Sequence, residues 1–219
     1  MTLALVDVGG GNLRSVEKAL AHVAPGAGCE APLLTSDPEV VRRAERVVMP
    51  GQGAFGDCGR ALAHDAPLGE ALREVIAAGR PYLGICLGLQ VLFEASEESP
   101  ACRGLGVLGG QVVRIPDGRR DPVTGSLLKV PHMGWNQVVP CGAHPLLARL
   151  GAAGTPFYFV HSYHAVPTDP EVVQAVAEYG ALSLTAAVAR DNVVAVQFHP
   201  EKSQRAGLAF LEAFLRWRP

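Results

Sequence analysis

Short apolar, β-branched runs alternate with helical segments through the first half of the chain, and those runs lack a polar face. Strands are expected at residues 3–8, 31–34, 46–49 and 82–85. Helical periodicity falls between them, at about 13–22, 68–78 and 88–94. In the first helix Leu13, Val16, Ala19, Leu20 and Val23 recur at i, i+3 and i+4, which makes one apolar face. The second is expected to stop at Gly79, a residue suited to a helix end. Strands with no polar face must be buried on both sides, so this pattern demands a parallel sheet covered by helices above and below. From about residue 106 the chain becomes rich in strands and turns, with turns expected at Pro116-Asp117-Gly118 and at Gly125. Further strands are expected at 157–161, 182–189 and 193–198, and a closing helix at about 204–217. The expected class is α/β: an open, mostly parallel sheet with helices on both faces and additional antiparallel strands in the second half.

Composition narrows the class of function. The 219 residues are 48% hydrophobic and 18% charged, which suits one folded core and not a disordered chain. A net charge of −2, with no run of one sign, argues against nucleic acid or an anionic membrane as partner. No apolar stretch reaches membrane-spanning length, and residues 1–7 carry no secretory pattern. Five scattered cysteines without metal spacing read as reduced thiols. His161 and His164 bring no third ligand, so no metal site is expected. The expectation is a single cytoplasmic domain over residues 1–219.

One of those cysteines stands apart. Gly84-Ile85-Cys86-Leu87-Gly88 lies where a core strand must turn sharply into a helix. Small residues on both sides allow a crowded turn that thrusts the central side chain out of the sheet's carboxyl end, the logic of a nucleophile elbow. The start of a helix favours a thiolate, and the Leu87 amide is placed to receive an oxyanion. A buried core cysteine explains the same residues equally well. Phe198-His199-Pro200-Glu201 follows another strand, also at a carboxyl end, where sites gather in parallel sheets. His199 has the chemistry to take and return a proton, and Glu201 to orient the imidazole. Pro50-Gly51-Gln52-Gly53 ends the third strand, with glycines that allow backbone amides to face a site. Alone, each of the last two is an ordinary strand end or turn; together with the elbow they point to one site.

These segments, in this order, resemble the class I glutamine amidotransferases, and the resemblance covers essentially the whole chain. Asp7-Val-Gly-Gly-Gly-Asn-Leu-Arg-Ser15, Val130-Pro-His-Met-Gly-Trp-Asn136, Tyr158-Phe-Val-His-Ser-Tyr163 and Gln197-Phe-His-Pro-Glu-Lys-Ser203 are similar to the glutaminase subunits of imidazole glycerol phosphate synthases. The resemblance implies a flavodoxin-like fold and a Cys86, His199, Glu201 triad. It also implies an oxyanion hole from Gly51, Gln52 and Leu87. Glutamine would be bound by Gly53, Gln90 and the backbone of Ser162 and Tyr163. Asn12, Trp135, Asn136 and Lys202 would face a (β/α)8 cyclase subunit that receives ammonia in histidine biosynthesis. No metal or organic cofactor is implied. Gln52 stands where relatives carry an apolar residue, and Leu89 replaces a methionine of similar volume.

Other readings fit less of the sequence. A dinucleotide site at Gly9-Gly10-Gly11 lacks its third glycine, since Arg14 stands there. A non-catalytic subunit on the same fold would be expected to lack Cys86 or His199. A stand-alone γ-glutamyl hydrolase would leave the partner-facing segments without a role.

Overall fold

The computed structural model describes residues 1–9, 12–63 and 65–219. Gly10 and Gly11 of the Gly9-Gly10-Gly11 run therefore lie outside the described residues. In chain order the elements are β1 (Leu3–Val6), α1 (Leu13–Val23), β2 (Leu33–Thr35), α2 (Pro38–Arg43) and β3 (Arg46–Gly51). Then come α3 (Phe55–Ala61), α4 (Pro67–Ala77), β4 (Tyr82–Cys86), α5 (Leu87–Gln90), β5 (Ala95–Ser96) and β6 (Gly110–Arg114). The remainder is β7 (His132–Pro140), β8 (Thr155–His161), β9 (Tyr163–Pro167), β10 (Val173–Tyr179), β11 (Leu182–Arg190), β12 (Val193–Val196) and α6 (Gln204–Arg216).

Nine strands form one sheet in the order β2-β1-β3-β4-β12-β11-β10-β7-β8. Pairing is parallel from β2 through β12 and antiparallel from β12 to β8. A smaller sheet, β5-β6-β9, lies apart. The two-sided burial expected of the parallel strands is visible in β1, β3, β4 and β12, whereas β2, at the sheet edge, leaves Leu33 and Leu34 exposed. In β1, Leu3 and Leu5 pack in one core with α1 and α6, while Ala4 and Val6 pack in the other with α2 and α4. β12 divides the same way, Val194 and Val196 against Val193 and Ala195. Each such buried Val or Leu contributes about 1.5–3 kcal/mol of transfer free energy. A buried cation ties the sheet to α6 at one end: Arg46 of β3 donates to the carbonyls of Phe214 and Trp217, satisfying the last turn of α6.

The helix expected over 88–94 is shorter than its periodicity suggests. α5 is a single turn, because the backbone beyond it is claimed by other chain segments. The Leu105 amide donates to the Val91 carbonyl (2.6 Å) and that of Leu108 to Leu92 (3.0 Å). Gly104 lies so close that a Cβ there would be 2.0 Å from the Phe93 carbonyl. Tertiary contacts outweigh local propensity.

Candidate active site

β3, β4 and β12 are neighbours in the sheet and run parallel, so their carboxyl ends lie side by side. Gly51 pairs with Cys86 across β3 and β4, and Val196 with Ile85 across β12 and β4. Strand order alone thus brings together three segments that are far apart in sequence: Pro50-Gly51-Gln52-Gly53, Cys86 and His199.

Cys86 has φ 55° and ψ −106°, a backbone conformation rarely adopted by a residue with a side chain. The flanking glycines make that turn sterically feasible. A Cβ on Gly84 would fall 2.4 Å from the Gly88 carbonyl oxygen, and one on Gly88 only 1.9 Å from that of Met49. Gly51 is equally constrained, since its Cβ would meet that of Leu87 at 2.8 Å. Replacing Gly88 by Ala forces a backbone shift rather than a rotamer change. We expect Gly88→Ala to lower stability by about 3 kcal/mol, the upper range for an overpacked core. Urea unfolding measures this, and a wild-type midpoint would refute the steric account.

The backbone of His199 is pinned on both sides. Its amide donates to the Tyr158 carbonyl (2.8 Å), and its carbonyl accepts from the Ser203 hydroxyl (2.6 Å). The imidazole is 2% exposed, and its Nδ1 lies 2.9 Å from Glu201 Oε1. Nε2 is buried without a completed hydrogen bond, and Cys86 is close enough to act on it electrostatically. Burial opposes an imidazolium here, but the electrostatic influence of Cys86 and Glu201 and the hydrogen bond to Glu201 outweigh it, so the His199 pKa is raised. A thiol, an imidazole and a carboxylate in this order can attack a carbonyl and pass a proton to a leaving amine.

Cys86 opens onto a pocket of about 420 Å³, bordered by Gln52, Gly53, Leu87, Gln90, Glu98, His161, Ser162, Tyr163 and Lys202 among others. The pocket therefore gathers most of the expected substrate-contacting residues. Gln52 also borders a much smaller cavity beside Asn12, His199 and Glu201, so it forms the partition between pocket and imidazole. The Tyr163 carbonyl is not free for a ligand, because it accepts from both Gln90 Nε2 (3.0 Å) and the His161 ring (2.9 Å). The Ser162 carbonyl accepts from the Ile115 amide (2.8 Å). Of the residues expected to face a partner, Asn12 is exposed and Trp135 is 49% exposed. Lys202 Nζ lies over the Tyr158 ring at 5.8 Å. Trp135 and Asn136 are consecutive on β7 and point to opposite faces. Trp135 packs edge-on against Tyr158, while the half-buried Asn136 amide on the opposite face is engaged by the Glu178 carbonyl and His132.

Two residues at the site escaped the sequence reading, one behind the pocket and one on its wall. Gln197 is fully buried, donates from Nε2 to Cys86 Sγ (3.5 Å) and accepts from Gln90 Nε2 at Oε1 (3.1 Å). Its signal was available, since an amide at the end of an all-apolar strand must find polar partners or destabilise the core. Glu98 brings a carboxylate to the pocket wall, held by the Phe55 amide at 2.7 Å. It follows α5 in an irregular stretch with no periodicity to mark it.

The match to known families decides the class: the model for "Glutamine amidotransferase class-I" fits residues 4–216. The chain belongs to that family. Among curated relatives, the imidazole glycerol phosphate synthase subunit HisH of Aromatoleum aromaticum is 52% identical over 220 residues, covering 99% of each chain. The subunit of the same name from Nitrosospira multiformis is also 52% identical, over 99% of this chain and 98% of its own. Solved structures agree on the fold. A glutamine amidotransferase crystal structure aligns with a TM-score of 0.68 at 20% identity, over 99% of both chains. The glutaminase domain of Trypanosoma brucei CTPS with bound acivicin aligns at 0.64 and 18% identity, over 98% of this chain and 93% of its own. Among the described residues no helix is long and apolar enough to cross a membrane.

Proposed function

We propose that this chain is the glutaminase subunit of an imidazole glycerol phosphate synthase, with Cys86 as nucleophile, His199 as proton shuttle and Glu201 as the group that orients it. The observation that supports the chemistry is that Cys86, which opens onto the pocket, stands at a strand end adjoining the one that leads to His199, whose Nδ1 lies 2.9 Å from Glu201 Oε1. The near-full-length relatives support the pathway.

In this reading Cys86 Sγ attacks the δ-carbonyl carbon of glutamine, and the oxygen becomes an oxyanion facing backbone amides of Leu87 and the Gly51–Gly53 segment. The carbon–nitrogen bond then breaks, His199 gives its proton to the departing nitrogen, and ammonia leaves a γ-glutamyl thioester. Water, losing a proton to His199, attacks that thioester, releasing glutamate and restoring the thiol. Glu98 is the carboxylate on the pocket wall suited to a substrate ammonium. Ammonia released to water at neutral pH is mostly protonated and loses its nucleophilic lone pair. Passage to a (β/α)8 cyclase subunit docked on the Trp135 and Lys202 face avoids that loss. Met133, on the same side of β7 as Trp135 and 65% exposed, extends the apolar surface of this face.

The test is glutamate release from glutamine by this chain alone, and in complex with a cyclase subunit carrying its nucleotide ligand. A low rate alone that rises at least tenfold in the complex is the expected result. A high rate alone would remove partner gating, and no glutamate from a correctly assembled complex would overturn the reading.

A further inference from the structure

A chain of polar groups runs from β7 to Cys86, and in its first arm, from Asn136 to the Tyr163 carbonyl, the direction of donation is set at both ends. Asn136 Nδ2 donates to the Glu178 carbonyl (2.8 Å), and Asn136 Oδ1 accepts from the Gln137 amide (2.8 Å), so the amide's orientation is determined. The same Nδ2 lies 3.2 Å from His132 Nε2, which must therefore be an acceptor. His132 then carries its proton on Nδ1 and donates to His161 Nε2 at 2.9 Å. His161 in turn carries its proton on Nδ1 and donates to the Tyr163 carbonyl at 2.9 Å. That carbonyl has no proton to give, so the assignment made from the Asn136 end is the one required at the other.

At the Tyr163 carbonyl two donors converge, so the sense of donation reverses there. Gln90 Nε2 donates to the Tyr163 carbonyl and to Gln197 Oε1, occupying both of its protons. A flipped Gln90 amide would set its oxygen against two acceptor oxygens, so Oε1 is the atom left for the pocket. Gln197 Nε2 then donates to Cys86 Sγ. Both imidazoles are buried, His132 at 3% exposure and His161 at 6%. The surroundings favour neutral rings. Burial lowers the His132 pKa to about 4. Burial also lowers that of His161, to about 3, and the nearby His132, His164 and His199 add to the effect.

We infer that Asn136, His132 and His161 form a one-way hydrogen-bond relay of neutral groups that holds the Tyr163 carbonyl and the Gln90 amide in register with Cys86. These three are positioning residues. His161 lines the pocket, but both of its ring nitrogens are committed to the relay, which leaves it no role as a base. The relay starts on the strand whose other face carries Met133 and Trp135. A displacement of β7 therefore reaches Gln90 through bonds of fixed polarity, without a change of charge next to the His199 imidazolium.

The kinetic consequence rests on the glutaminase reading; the relay itself does not, and the test separates the two. With ¹⁵N-labelled histidine, the rings of His132 and His161 are expected to show neutral Nδ1–H tautomers from pH 5.5 to 9. Gln90 side-chain amide protons are expected to exchange slowly. His132→Phe keeps an aromatic ring and removes both nitrogens. It should speed exchange at Gln90 and raise KM for glutamine at least tenfold, with a smaller change in kcat. His132→Asn restores a donor close to the Nδ1 position and should recover most of the loss. If His132→Phe fails to fold, Asn136→Asp replaces it: a carboxylate facing His132 Nε2 should draw the proton to that nitrogen and raise KM alike. An Nε2–H tautomer or an imidazolium in the wild type would overturn the relay, as would unchanged Gln90 exchange and KM in a folded variant. A wild type that releases no glutamate yet shows the expected tautomers would overturn the function and leave the relay standing.

Discussion

Cys86→Ala is expected to lower glutamate release by roughly 10⁴-fold or more, the scale on which removing a covalent nucleophile acts. The pocket offers no substitute. Ser162 is the other small nucleophile on its wall, and the imidazole next to it, His161, has both nitrogens engaged by His132 and Tyr163. Without a base a serine hydroxyl is a poor nucleophile at neutral pH. His199 and Glu201 would remain in place, and water attacking the amide directly would lack the thioester route that divides the barrier in two. The substitution keeps Cβ and the strained backbone at φ 55°, so the fold should survive, with an unfolding midpoint near that of the wild type. Glutamate formation measured with the complex is the readout. More than about one hundredth of wild-type activity would show that the thiol is not the nucleophile, because general acid–base help alone supplies only about 10²–10⁴-fold.

How much of this site was legible beforehand depended on whether a residue's role was local. Cys86, its flanking glycines and Gly51 were readable because a sharp turn between a buried strand and a helix admits few residue types, and the clash distances at Gly84 and Gly88 show why. His199 and Glu201 were readable as a strand end with suitable chemistry, but nothing local placed them beside Cys86. That adjacency comes from β12 inserting next to β4, a crossover of more than a hundred residues. The antiparallel half was read less completely. β9 and β10 alternate only partly buried positions, so their periodicity is weak, and they are held by cross-strand partners distant in the chain. α2 and α3 are short, and their order comes from packing and, in α2, from the Asp37 cap rather than from a long apolar stripe. The His132–His161 contact joins neighbouring strands, so it follows from β-sheet register (His132 opposite His161) that no local pattern records.

Glu201→Gln tests whether the carboxylate acts through charge or only through shape. The amide can still accept a hydrogen bond from His199 Nδ1, but it no longer stabilises the imidazolium that forms when Cys86 loses its proton. We expect kcat to fall by about 10²–10⁴-fold with KM nearly unchanged, since the loss falls on the reacting pair rather than on glutamine binding. A second consequence has a definite sign. His199 has a folded pKa above its unfolded value of 6.5, against the opposition of burial, because Cys86 and Glu201 favour the charged ring. The stabilisation from that ring is therefore complete below about pH 6.5 and is lost as pH rises through the folded value. Removing the Glu201 charge lowers the folded value and shrinks this contribution. Urea unfolding at pH 6 and pH 9 should show the wild type losing more stability between them than Glu201→Gln does. Comparison of the two proteins cancels the other groups that titrate in that window. Equal declines, together with more than half of wild-type kcat, would mean that Glu201 holds the imidazole by geometry alone and that Cys86 supplies all of the charge that keeps it protonated.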